Sequence, residues 1–157
     1  MNLGDSVTVH VNADPMTCWN IAADVTRIGE LSPETFEAEW LDGASGPALG
    51  ATFRGHVKRN QRGPVYWTTC RVTKCEPGTA FEFVVVNGGR DVNHWGYTFA
   101  AKDGGTAATE YFRLEPSLPL KVYWAVLGWA RGKTNRDGMT QTLNRLKAIA
   151  EGQAPTA

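Results

Sequence analysis

The chain is expected to fold as an α+β domain. It should have a seven-stranded curved antiparallel sheet, two short N-terminal helices, and a long C-terminal helix packed in the concavity. Three observations predict this. Seven stretches read as β-strands, several of them alternating apolar and polar residues with period two. Six of them follow one another through short turns rich in Gly, Pro and Asn. Only one long helical candidate exists, Ser117 to Glu151, and a sheet with one apolar face must bury that face against something.

In chain order, Ser6–Asn12 alternates, with Val7, Val9 and Val11 on one face. Asp14-Pro15 supplies an N-cap with proline at the first helical position, opening a helix whose apolar patch is Trp19, Ala22 and Ala23. A second short helical turn covers Val25 to Leu31. Phe36–Trp40 places Phe36, Ala38 and Trp40 inward, and Ala51–Lys58 does the same for Ala51, Phe53, Gly55 and Val57. Gly55 inside a strand marks a bulge or a place where something approaches the backbone. Val65–Cys75 is the fourth strand. Phe81–Val86 carries Phe81, Phe83 and Val85 inward. Asn87-Gly88-Gly89 then turns the chain into Asn93–Phe99, where Trp95, Tyr97 and Phe99 share a face. Lys102-Asp-Gly-Gly105 leads to the last strand, Thr106–Leu114.

The C-terminal segment has two parts. Its head, 118–130, is apolar nearly all round; its tail places Met139, Leu143, Leu146 and Ala150 in one stripe. Unbroken, the segment would run about 50 Å, against roughly 40 Å across a domain of this size. The segment is therefore expected to bend, break or protrude, and the chain offers a place to break near Gly132–Asn135, with Thr134-x-x-Asp137 as the restart. The tail would clamp the sheet and the head would act as a lid. The domain is expected to span 1–151, with 152–157 a flexible tail.

Composition excludes several classes. Sixteen Lys+Arg balance sixteen Asp+Glu, so a nucleic-acid partner, which needs a basic stripe, is not expected. The longest apolar run is too short and interrupted for a membrane span. Three cysteines at no metal-ligand spacing suit free thiols, and a cytoplasmic location is expected, since residues 1–6 lack the pattern of a signal peptide. No phosphate loop, metal cluster or nucleophile elbow is present, so no cofactor or metal is expected.

Several spread motifs carry a resemblance across nearly the whole chain. They are Asp14-Pro15, Gly50–Gly55, Trp67–Val72, Glu76-Pro-Gly78 before Phe81-Glu-Phe83, Trp95-x-Tyr97-x-Phe99 before Asp103–Thr106, and Gly138-Met139-x-x-Thr142-Leu143-x-x-Leu146-Lys147. On these the chain resembles the START-like, or helix-grip, superfamily, with its SRPBCC-type polyketide cyclase/dehydrase and lipid-transport families. The resemblance implies an apolar cavity between sheet and C-terminal helix that holds lipids, polyketides or other flat apolar molecules.

The candidate ligand-binding residues are Trp40, Phe53, Cys70, Phe83, Trp95, Tyr97, Phe99, Trp124, Gly128 and Met139. Candidates for the few polar groups such a pocket carries are Thr68, Cys70, Glu110, His94 and Asn135. His10, His56 and His94 all fall on the outward face by alternation, and Cys70 has no base nominated beside it. Glu110 is the sharpest anomaly and the one catalytic candidate. If its strand face is the concave one, its carboxyl is buried with a raised pKa; in the opposite register it lies in water.

Three functions remain open at this point. The protein is a carrier or sensor of an apolar small molecule. Alternatively it is a polyketide cyclase, aromatase or dehydratase working inside the cavity. A third reading makes it an interaction module, using 118–130 for homodimer formation or membrane contact.

Overall fold

The computed structural model describes residues 4–58, 64–116 and 118–152, and of residues 118–131 the backbone only. The order is β1 (Gly4–Val11), α1 (Pro15–Ala23), a 3₁₀ turn (Val25–Glu30), β2 (Thr35–Trp40), β3 (Thr52–Lys58), β4 (Val65–Glu76), β5 (Ala80–Asn87), β6 (Arg90–Lys102), β7 (Gly105–Leu114) and α2 (Leu118–Ala150). The seven strands form one sheet in the order β1-β7-β6-β5-β4-β3-β2, antiparallel throughout. The first strand thus closes against the last, and the helices between β1 and β2 carry the chain to the opposite edge.

Local chemistry explains the joints. Asp14 caps α1, its Oδ1 accepting from the Thr17 backbone N–H at 2.8 Å, with Pro15 at the first helical position. β5 and β6 meet through a two-residue loop, Gly88-Gly89, at φ +60° and +76°. Asp103-Gly104 joins β6 to β7 in the same way, at +50° and +77°. Both central residues of such a loop need positive φ to match the twist of the strands, which is why glycine and aspartate stand there.

The inward face carries the alternation as expected, except in β2. A β-bulge between Thr35 and Glu37 makes Phe36 the extra residue, and the register on either side sends its ring to solvent, about half exposed. There it lies 4.4 Å from His56, which stacks on Trp67 at 4.1 Å with Arg54 over the indole. Phe36 therefore belongs to an outer aromatic ladder and not to the core.

α2 runs unbroken for 33 residues, and the break that Gly132–Asn135 offered is absent. One glycine costs a helix interior only about 1 kcal/mol, and the ion pair Lys133–Asp137, at 2.9 Å and i,i+4 spacing, continues the helix past the suspected restart. At 1.5 Å per residue α2 is about 50 Å long.

Position matters more than length. α2 packs on β1, α1 and β7. Met139, Leu143 and Leu146 are fully buried, Arg136 forks onto Asp5 at 2.7–3.0 Å, and Lys147 Nζ donates to the His10 carbonyl at 3.1 Å. These ties hold the helix over the β1–β7 edge. Between α2 and the concave faces of β3 to β6 a space is left. Of the apolar head, the side chains including Trp124 and Gly128 lie outside the described residues, as do residues 153–157.

Candidate functional site

The space is a cavity of about 720 Å³. Its sheet wall comprises Phe53, Gly55 and Val57 of β3, Tyr66, Thr68 and Cys70 of β4, Phe83 and Val85 of β5, Asn93, Trp95 and Tyr97 of β6, and Glu110 of β7. Register puts these on one face: Phe53 opposes Cys70, Cys70 opposes Val85, Phe83 opposes Trp95, and Tyr97 opposes Glu110. The far wall is Asn135, Met139 and Thr142 of α2, and the segment after the 3₁₀ turn supplies Pro33 and Thr35.

Of the ten residues proposed from sequence as ligand contacts, Phe53, Cys70, Phe83, Trp95, Tyr97 and Met139 line the cavity. Trp40 and Phe99 do not. Trp40 packs edge-on against Phe53 at 5.6 Å, one layer behind the wall. Phe99 lies flat on Tyr97 at 6.2 Å, toward the end of the sheet that the core of α1 and α2 fills. Tyr66 and Asn93 were missed, though the period-two signal that placed Thr68 and Trp95 would have found each, and Val85, read as inward, was not among the ligand candidates. Gly55 is where the sequence marked a close approach: a Cβ there would meet the Thr35 methyl at 3.1 Å.

Glu110 falls in the concave register, which settles the alternative the sequence left open. It is 5 % exposed, beside Tyr97 on one side and Val7 on the other. The Tyr97 hydroxyl donates to Oε1 at 3.3 Å, while Oε2 is buried with no hydrogen-bond partner among the described residues. Burial pushes the Glu110 carboxyl well above the usual carboxylate range, and the Tyr97 hydrogen bond offsets only part of this. Burial likewise raises the Tyr97 hydroxyl, with the neighbouring Glu110 adding to it. Burial thus favours the protonated form of both groups. Cys70 is also neutral, its thiol pushed up to about 12 by burial, so it is a poor nucleophile.

His94 is not in this wall. It lies on the opposite, convex face, opposite Val84 and Arg113, in a buried polar cluster. Its Nδ1 is 3.1 Å from Glu82 Oε1 and its Nε2 2.8 Å from Glu115 Oε1. Thr73 and Tyr111 also donate to Glu82. The Tyr111 ring can lie there only because residue 96 is glycine: a Cβ would come within 2.3 Å of it. The remaining histidines point outward too, leaving no imidazole among the cavity's described residues.

Among the described residues there is no group of His, Cys, Asp or Glu side chains that could hold a metal, and no helix long and apolar enough to cross a membrane.

Solved structures share the fold. The protein Ms6760 from Mycobacterium smegmatis is 20% identical with a TM-score of 0.64, covering 96% of this chain and 92% of its own. The protein NE0264 from Nitrosomonas europaea is 10% identical with a TM-score of 0.68, covering 96% and 95%. The di-domain ARO/CYC StfQ from the steffimycin biosynthetic pathway is 14% identical with a TM-score of 0.70, covering 96% of this chain and 51% of StfQ. No curated protein matches the chain. The seven-stranded sheet gripping a C-terminal helix agrees with the family model described as polyketide cyclase / dehydrase and lipid transport, which matches residues 6–151, and the chain belongs to that family.

Proposed function

We propose that the protein binds an apolar small molecule in this cavity as a cytoplasmic carrier or sensor. The observation that carries the reading is the cavity itself. Its volume of about 720 Å³ falls within the roughly 300–1,000 Å³ of typical ligand pockets. Its walls combine aromatic and aliphatic side chains with a sizeable polar share, Thr68, Asn93, Asn135 and Thr142 among it, that would orient a guest. Phe53, Phe83, Trp95 and Met139 would supply apolar contact area, Tyr97 and Cys70 would bound the guest, and the head residues Trp124 and Gly128 would close over it. Native mass spectrometry of protein purified from its own host should find a retained lipid, polyketide or aromatic compound. An empty protein that also fails to quench Trp fluorescence with any flat aromatic compound would sink the reading.

A second reading is a dehydratase or cyclase acting on a bound polyketone. One observation favours it: a neutral carboxyl in the wall of an apolar cavity is placed as an acid. Glu110 would give its proton to the departing hydroxyl of a β-hydroxy ketone, which leaves as water. The carboxylate would then take the α-proton as the C=C bond forms, restoring the acid. Incubating a reactive polyketone with wild type and Glu110→Gln tests this, and equal product distributions would remove the carboxyl from the mechanism.

A further inference from the structure

Asn135 breaks the pattern of the helix that carries it. Along α2, Asn135, Met139, Leu143 and Leu146 follow one another at spacings of three and four, which puts them on one face. Met139, Leu143 and Leu146 are buried there, and the pattern asks for an apolar residue at 135 as well. The side chain is instead a carboxamide, 8 % exposed, in the cavity wall beside Met139. Its polar neighbours in that wall are already paired. The Thr142 hydroxyl donates to the Gly138 carbonyl at 2.9 Å, and the Thr68 hydroxyl to the Gly55 carbonyl at 3.4 Å. Ser32 Oγ accepts from the Thr35 backbone N–H at 3.0 Å. The Asn135 amide takes part in no hydrogen bond among the described residues. Nor is it sealed off: among those residues, the one buried side-chain atom both closed to water and without a partner is Glu110 Oε2. The amide of Asn135 therefore opens on the cavity it lines.

We propose that Asn135 selects the guest by holding an aminated nitrogen heteroaromatic through two hydrogen bonds. The ring nitrogen accepts from Nδ2, and the adjacent amino group donates to Oδ1. The assignment rests on the binding reading above and names a chemical class within it. An unpaired carboxamide presents a donor and an acceptor side by side, and a guest edge with the complementary pair satisfies both; asparagine reads adenine by the same fork. A lone ketone or ether leaves Oδ1 without a donor, and a hydroxyl meets one end only. A lactam carries the pair too, but a peptide-like amide is costly to strip of water. A heteroaromatic amine presents the pair on a ring whose faces suit Phe53, Phe83 and Trp95 across the cavity.

The test sets 2-aminobenzothiazole against 2-methylbenzothiazole, two compounds of one shape and both uncharged at neutral pH, with wild type and Asn135→Leu. Dissociation constants come from isothermal titration calorimetry, and folding is checked by near-ultraviolet circular dichroism. Wild type should prefer the amine about tenfold, the worth of one bidentate contact, and Asn135→Leu should lose that preference. In a nitrogen–proton correlation spectrum, the Asn135 side-chain resonance, identified by its absence from the variant, should move downfield with the amine and not with the methyl compound. Without ligand, Asn135→Leu should melt no lower than wild type, because the amide has no bond within the protein to lose. A variant that melts well below wild type would give Asn135 a structural role and overturn the assignment. Equal affinities of wild type for the two compounds, or an unmoved resonance, overturn it and leave the binding reading standing. Tighter binding of benzothiazol-2-one, the lactam of the same frame, overturns the heteroaromatic class. Failure of all three to bind folded wild type overturns the assignment together with the binding reading.

Discussion

Tyr97 donates to Glu110 across 3.3 Å of cavity wall, leaving the other oxygen of a buried carboxyl without a partner among the described residues. The folded-state pKa of Glu110 lies above its ordinary value of 4.5. Stability tied to this group is therefore fully present below about pH 4.5. It declines as the pH rises toward the folded value, because the unfolded chain sheds its proton first. Glu110→Gln should abolish that decline. Against wild type its advantage in urea unfolding should grow from about pH 4.5 upward, reaching about 1–3 kcal/mol. Parallel pH profiles for the two proteins would show that the carboxyl is not desolvated.

Glu82 should behave in the opposite sense. Burial raises its pKa, but hydrogen bonds from Tyr111 and Thr73 and the nearby His94 more than offset this, and the net shift is downward. Its contribution is present above about pH 4.5 and is lost as the pH falls through the lowered value. Wild type should lose stability on acidification more steeply than Glu82→Gln, measured as the slope of the unfolding midpoint below pH 4.5.

Gly96 and Tyr111 should be coupled. Gly96→Ala drives a methyl to within 2.3 Å of the Tyr111 ring and should cost about 1–3 kcal/mol. In a Tyr111→Ala background most of that cost should vanish, giving a coupling energy of about 0.5–3 kcal/mol in a double-mutant cycle. Additive effects would mean that the glycine serves the backbone and not the ring.

The grip of α2 should reside in its apolar stripe. Leu143→Ala and Leu146→Ala, both at 0 % exposure, should each cost about 2–5 kcal/mol by urea denaturation. Arg136→Ala, whose side chain is 59% exposed, should cost no more than about 1 kcal/mol despite its forked ion pair.

The three thiols should separate by access. Cys75 is partly exposed, whereas Cys18 and Cys70 are buried, and burial raises the pKa of all three, Cys70 to about 12. A disulfide reagent at neutral pH should titrate Cys75 first. Cys70 should react only on unfolding, and rapid reaction of all three in the native state would contradict the buried wall.

By itself the sequence determined the class of fold, the order of its elements and the strand faces from Phe53 to Phe99, because period-two alternation and turn chemistry are local signals. Asp14-Pro15 and Gly88-Gly89 could be assigned for the same reason: caps and tight turns depend on a few consecutive residues. Phe36 was misplaced because a one-residue bulge, set by pairing with β3, inverts a face without altering the local pattern. The break in α2 was inferred from length against domain size, but one glycine is too weak a signal to stop a helix whose tail is tied to β1 and α1. Trp40 and Phe99 share the inward face with Phe53 and Tyr97, yet only tertiary packing decides which inward side chains meet a neighbour and which meet empty space. Glu110 shows this most plainly. Its strand is short enough to admit either register from sequence, and pairing with β1 and β6 turned its carboxyl into the cavity. Whether that carboxyl is a solvated charge or a neutral donor depends on the low-dielectric surroundings that the fold builds around it.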